Sequence, residues 1–196
     1  MYQGFKFMMD RVFSAIALLL LGPLMALLAL AIRLDSAGPA FFRQKRAGRN
    51  GRFFTIYKFR TMRKETPHDM PTHMLTGANR HITRLGQFMR KSSLDELPQL
   101  LNILRGDMSL VGPRPALWNQ DDLIALRKSN GSDRIRPGLT GWAQVNGRDE
   151  LPISRKAELD GEYAANLTLG RDLRILVRTA LQVFHAEGVV EGVQKP

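Results

Sequence analysis

Asp95 and Glu96 are adjacent acids in a 196-residue chain whose formal net charge is +11. They lie in SSLDELPQLLNILRGDMSLVGPRP, Ser92 to Pro115, with Arg90 and Lys91 before them and Arg105 and Arg114 after. Neighbouring helical residues diverge by about 100°, so the two carboxylates cannot share one task. One can face a reacting phosphorus while the other orients a metal ion or a proton. The surrounding cations suit an anhydride, because displacement at phosphorus loads charge onto the phosphoryl oxygens. Gly112-Pro113-Arg114-Pro115 is a stiff turn that pre-sets its arginine, and a fixed guanidinium can grip phosphate with two parallel hydrogen bonds. Neither G-x-x-x-x-G-K-[ST] nor G-x-G-x-x-G occurs, which excludes nucleotide binding of those two types.

A purely structural reading competes. Ser93 followed three residues later by Glu96 matches a capping box, in which each side chain would accept from the other's amide. Asp95 would then complement the helix dipole, and Pro98 would fall in the first turn, where a missing N–H does little harm. The local residues alone favour the cap; the basic company favours chemistry.

The elements that must position these residues follow from periodicity. VFSAIALLLLGPLMALLALAI, Val12 to Ile32, has no charge over 21 residues. As a helix it would extend about 32 Å, close to the thickness of a bilayer's hydrocarbon core. Pro23 cannot donate to the Leu19 carbonyl and crowds that turn, so a kink or break is expected at Gly22-Pro23. Lys6 and Arg11 precede the run, and Arg33 and a series from Arg43 to Arg63 follow it. Positive flanks on both sides fit a hairpin that enters and leaves by one face, or a single crossing with the basic body inside. Residues 39–62 read as a hairpin followed by a strand, with Lys58 and Arg60 on one face at period two. Residues 63–80 read as a loop, and His68, Asp69 and His73 within it as coincidence rather than a metal site.

Helices follow in HITRLGQFMRKSS, with Ile82, Leu85 and Met89 on one face, and in DELPQLLNIL, with Leu97, Leu100, Leu101 and Leu104 inward. ALWNQDDLIALRKSN adds another, closed by Asn130-Gly131. IRPGLTGWAQVNGR, Ile135 to Arg148, is a glycine-punctuated loop suited to close backbone approach to a ligand. In RDLRILVRTALQVFHA, Arg171, Arg174 and Arg178 form a stripe apart from Leu173, Leu176, Ala180 and Phe184. That pattern fits an interfacial helix or a core-facing surface helix.

Composition bounds the class. Twenty-nine Lys and Arg against eighteen Asp and Glu imply a polyanionic partner: nucleic acid, an anionic membrane surface or a phosphate-rich substrate. The absence of cysteine excludes disulfides and thiolate metal sites.

Together these segments resemble the monotopic phosphoglycosyl transferases, the bacterial sugar transferase family acting on polyprenol phosphate. The resemblance is carried by KFRTM (Lys58 to Met62), the Ser92–Pro115 stretch, RPGLTGWAQVNGR (Arg136 to Arg148) and ELDGEY (Glu158 to Tyr163), in that order. It implies an α+β fold, mainly helical and membrane-associated, with a re-entrant broken helix over 1–34, a small β-hairpin and interfacial amphipathic helices. Residues 35–196 would form the catalytic domain at the cytoplasmic face of the bacterial inner membrane, with both chain ends cytoplasmic.

The implied reaction moves a sugar 1-phosphate from a UDP-sugar to undecaprenyl phosphate and releases UMP. Asp95 would form a covalent phosphosugar intermediate, with Glu96 as companion acid. Lys58, Arg60, Arg90, Arg114, Gln144 and Asn146 would contact substrate, and magnesium (Mg2+) would be the cofactor, bound by Asp95 and Glu96. The family often has Ser-Pro at the helix break, where this chain has Gly22-Pro23. The chain's size suggests the small, single-domain members, several of which use diamino sugars such as diacetylbacillosamine; the sugar itself is not legible. A homodimer is allowed, inner-membrane lipid is a partner, and nucleic acid is not. The competing class is a non-catalytic, membrane-tethered basic protein that binds nucleic acid or acts as a scaffold.

Overall fold

The computed structural model describes residues 2–67, 78–147 and 150–185. His68, Asp69, His73 and Arg148 lie outside the described residues. Helix α1 (Tyr2–Asp35) runs through Pro23 as one element, so the break expected at Gly22-Pro23 is not an interruption of the helix. Packing on both sides of the proline explains this. Ala17, Leu18 and Leu21 pack against Ile56, Leu100, Ile103 and Met108, while Met25, Leu28 and Ala29 pack against Phe59 and Met89. With each half seated on the body, losing one hydrogen bond at Pro23 does not end the helix.

Thirty-four residues give α1 a length of about 51 Å, and by length and composition it could cross a membrane. Its outward side is an apolar stripe from Phe5 through Val12, Ile16 and Leu19 to Leu27, Leu30 and Leu34.

Strands β1 (Phe41–Ala47) and β2 (Phe53–Phe59) form an antiparallel hairpin in which Phe42 pairs with Lys58. The expected loop over 63–80 ends early, because Ala78–His81 is already a short helix, α2. Helix α3 (Arg84–Lys91) starts at Thr83, whose hydroxyl accepts from the Gly86 amide, and buries Met89. Helix α4 (Gln99–Arg105) begins only after Pro98. It buries Leu100, Asn102 and Ile103, so Ile103 takes the inward place expected of Leu104.

Strand β3 (Ser109–Val111) pairs in parallel with β4 (Gly138–Thr140). Helix α5 (Asp121–Asn130) ends at Gly131, whose φ of 78° is the left-handed cap that Asn130-Gly131 announces. Helices α6 (Ile153–Ala165) and α7 (Leu169–His185) complete the described body. Ile175 of α7 is buried with Val111, Val145 and Tyr163, while Leu173, Leu176, Val177 and Leu181 face outward.

Candidate active site

Three local devices bring the acids to their cations. The first is Ser93, whose φ of 55° is left-handed, an uncommon state for a residue with a β-carbon. It opens a 3-10 turn over Leu94–Glu96 with no side-chain cap, so the capping box does not form. The Glu96 carboxylate is used elsewhere. Lys58 Nζ donates to Glu96 Oε1 at 2.6 Å, and Arg114 Nη2 donates to the same oxygen at 3.0 Å. Lys58 Nζ also stands 3.9 Å from Asp95 Oδ2. The two acids do different things, as their helical divergence demands.

The second device is Asn102, fully buried on α4. Its Oδ1 accepts from the Tyr57 amide at 3.0 Å and its Nδ2 donates to the Thr55 carbonyl at 2.7 Å. The side chain thus fastens α4 to β2, the strand that carries Lys58. Nothing in the hydrophobic pattern marks Asn102; a polar residue on the inward side of an apolar helix was the only available signal.

The third device holds the Gly112–Pro115 turn. The Gly112 amide donates to the Thr140 carbonyl, and the Gly138 amide to the Pro113 carbonyl. Arg127 Nη1 donates to the Arg114 carbonyl at 2.9 Å, and Arg46 Nη1 to the Pro115 carbonyl at 3.0 Å. Arg127 is itself held by Asp160, 2.6 Å from its Nη2 and 2.9 Å from its Nε. Burial raises the Asp160 carboxyl, and the Arg127 guanidinium opposes that rise.

Glycines 112, 138 and 141 let these backbones touch. A β-carbon on Gly138 would collide with the Gly112 nitrogen, and one on Gly141 with the Gly112 carbonyl. The close approach that the glycine-punctuated loop provides is therefore to the arginine turn.

Asp95 lines a cavity of about 540 Å³ together with Lys58, Arg90, Phe41, Phe42 and Phe59. Arg43, Arg63 and Lys64 add positive charge to its walls. Burial lifts the Asp95 carboxyl above the ordinary aspartate range; Lys58, Arg90 and Arg114 oppose the rise, and Glu96 adds to it. Burial pulls the Lys58 ammonium down, against the attraction of Glu96. Both shifts come first from burial, which disfavours each charged form, and groups perturbed in this way concentrate at functional sites.

Of the remaining expected contacts among the described residues, Arg60 reaches the cavity and Gln144 and Asn146 do not. Arg60 lines the same cavity, but its guanidinium donates to the Ala37 and Ser36 carbonyls at 2.6 and 2.7 Å, tying β2 to the chain just past α1. Gln144 Nε2 donates to the Leu139 carbonyl and Asn146 Nδ2 to the Trp142 carbonyl. Neither Gln144 nor Asn146 is among the described residues lining the cavity. Among the described residues no three His, Asp or Glu side chains gather into a metal site.

With this geometry in hand, the comparisons are specific. The family model described as "Bacterial sugar transferase" matches residues 1–186. The chain belongs to the bacterial sugar transferase family. It is 42% identical over 186 residues to the UDP-glucose:undecaprenyl-phosphate glucose-1-phosphate transferase of Xanthomonas campestris pv. campestris, covering 91% of this chain and 38% of that one. It is 43% identical over 177 residues to the uncharacterized sugar transferase EpsL of Bacillus subtilis, covering 90% of this chain and 86% of that one. The undecaprenyl-phosphate galactose phosphotransferase of Salmonella typhimurium is 37% identical over 196 residues, 91% of this chain and 40% of its own. This family member thus spans most of one relative and about two fifths of the other two.

Proposed function

We propose that this chain transfers a sugar 1-phosphate from a UDP-sugar to undecaprenyl phosphate, releasing UMP. The observation that carries the reading is the placement of Asp95 and Glu96. The pair sits beside Lys58 and Arg114, and Asp95 opens on a cavity walled by cations and aromatic rings. The names of the similar proteins support the same substrate class.

In the first half-reaction an Asp95 carboxylate oxygen attacks the β-phosphorus. The bond from that phosphorus to the UMP oxygen breaks, and UMP leaves with the electron pair. In the second, an oxygen of undecaprenyl phosphate attacks the same phosphorus and frees the carboxylate. A carboxylate nucleophile divides one hard displacement into two easier ones. Lys58, Arg90 and Arg114 meet the charge on the phosphoryl oxygens. Glu96 holds Lys58 and Arg114 in place through one oxygen.

Magnesium fits this donor set, since it is commonly held by one or two carboxylates completed by phosphate and water. Asp95 would hold it, and its chemistry would be neutralisation of the diphosphate; Glu96, expected as a second ligand, has its Oε1 taken by Lys58 and Arg114.

The membrane seat is re-entrant, with both ends of α1 on the cytoplasmic side and the body lying against the inner membrane. What supports this is that both ends of α1 belong to the body. Tyr2 and Lys6 bond Asp172 at one end, and Ile32 is buried with Phe59 at the other. The outward apolar stripe of α1 and that of α7 would then meet lipid. Arg171 and Arg178 of α7 are drawn to Trp142, their guanidiniums 4.8 and 5.4 Å from its ring.

The test is UMP release by detergent-solubilised protein supplied with undecaprenyl phosphate, magnesium and a panel including UDP-glucose, UDP-galactose and UDP-diacetylbacillosamine. Release with at least one donor, abolished by Asp95→Asn, is expected. Folded protein that releases none, or an Asp95→Asn variant that works normally, sinks the proposal in favour of a non-catalytic role.

A further inference from the structure

Away from the reacting groups, six polar side chains converge where the start of α1 meets the body. Asp172, in the first turn of α7 and 4% exposed, accepts from Tyr2 at 2.7 Å and from Tyr163 at 2.6 Å. Lys6 Nζ pairs with it at 2.7 Å. Asp10, 3.5 Å from the same ammonium, accepts from the Ser109 hydroxyl at 2.5 Å. A cavity of about 30 Å³ among Lys6, Asp10, Ser109 and Tyr163 has room for one water.

The network has one target in the backbone. The Tyr163 and Ser109 hydroxyls stand 3.2 and 3.0 Å from the Val111 carbonyl, and each is also within hydrogen-bond reach of a carboxylate, Asp172 and Asp10 respectively. Val111 directly precedes Gly112, at the foot of the turn that carries Arg114. On α6, Tyr163 lies three residues beyond Asp160 and so on the same side of the helix. One helix therefore holds the turn twice: through Asp160 and Arg127 at the Arg114 carbonyl, and through Tyr163 at Val111. A buried polar network of this kind fixes one arrangement when every member is satisfied, and loosens when a member is lost.

We propose that Tyr163 and Asp172 are positioning residues for Arg114, and that by gripping Tyr2 and Lys6 they make the place of that arginine depend on the seating of α1. An enzyme so built would be competent only with its membrane helix docked. This rests on the reading that Arg114 serves phosphosugar transfer.

Tyr163→Phe keeps the packed ring and deletes only the hydroxyl. Loss of one buried hydrogen bond at this point should lower kcat/KM for UMP release about tenfold. If the loss is transmitted through Arg114, Tyr163→Phe should add less than about twofold in an Arg114→Ala background, as coupled neighbours are non-additive. A merely structural role would give additive losses. Independently of activity, hydrogen exchange across residues 109–116 should quicken in Tyr163→Phe, including the Gly112 amide, while exchange in β2 and α4 stays unchanged. Lys6→Met provides the same pair of readouts from the α1 side should Tyr163→Phe fail to fold. Additive losses, or unchanged exchange over 109–116, overturn the proposal. Absence of UMP release by the unsubstituted chain would overturn the functional reading instead, and the exchange result alone would then decide the clamp.

Discussion

Asp160→Asn isolates the support of Arg114. Asp160 is 1% exposed, and its carboxylate takes two hydrogen bonds from a guanidinium that is itself nearly enclosed. The asparagine leaves that guanidinium buried without its anion, which costs about 3–5 kcal/mol. In a domain of this size each kcal/mol moves the thermal midpoint by roughly 2–4 °C, so a fall of about 6–20 °C is expected in detergent. UMP release should fall as well, because Arg127 is the donor to the Arg114 carbonyl. Arg127→Leu combined with Asp160→Leu removes both buried charges and should recover most of the lost stability. It should not recover activity, since the Arg114 carbonyl still lacks its donor. A midpoint within about 2 °C of the unsubstituted protein for Asp160→Asn, or activity restored by the double leucine variant, would refute the reasoning.

Three further outcomes follow from the geometry. In the proposed reaction Asp95 attacks as the carboxylate, and burial raises its carboxyl, so the acid limb of kcat/KM should lie above the ordinary aspartate value of about 3.9. Lys58 must keep its proton and burial lowers it, so the alkaline limb should lie below the ordinary lysine value of about 10.4; limbs at the ordinary values would contradict both environments. For folding the sign at Asp95 is opposite: a raised carboxyl favours the native state at low pH, and that contribution is lost as pH rises through its folded value. Gly138→Ala should abolish activity and lower the thermal midpoint, because its β-carbon meets backbone that cannot swing away, whereas Gly170→Ala on α7 has open space and should be tolerated. Leu19→Asp with Leu27→Asp, at positions 80% and 66% exposed, should leave folding intact yet reduce flotation with phospholipid vesicles; unchanged flotation would mean that the α1 stripe does not meet lipid.

The parts of the fold that were legible in advance are those with a strong local signal. The apolar run, the hairpin around Gly48 to Arg52, the Met89 face of α3 and the glycine stop after Asn130 all appear where periodicity and turn residues put them. Asp95, Glu96 and Arg114 were legible from residue type and company, Lys58 only through the family resemblance, and the four meet in space. The errors share a cause, which is tertiary contact overriding a local rule. At Gly22-Pro23 a kink or a break was expected, and of the two the outright break is absent because α1 is packed on both sides of the proline. Ser93 and Glu96 have the spacing of a cap, but two cations draw the Glu96 side chain away. Lys58 and Arg60 have the period of one strand face and both line the cavity, but β2 ends at Phe59 and the Arg60 guanidinium is spent on carbonyls after α1. Asn102, Arg127, Asp160, Tyr163 and Asp172 were not singled out, because each acts on a backbone or side-chain group distant in sequence. ELDGEY already contained two of them at helical spacing, which was the available clue.

The central claim is that the Asp95 carboxylate becomes esterified by a sugar phosphate, and intact-protein mass spectrometry tests it most directly. Protein incubated with magnesium and a donor UDP-sugar, without undecaprenyl phosphate, should gain the mass of one phosphosugar. Fragmentation should map it to residue 95, and adding undecaprenyl phosphate should remove it. Continued UMP release with no adduct, or an adduct that survives Asp95→Asn, would contradict the account.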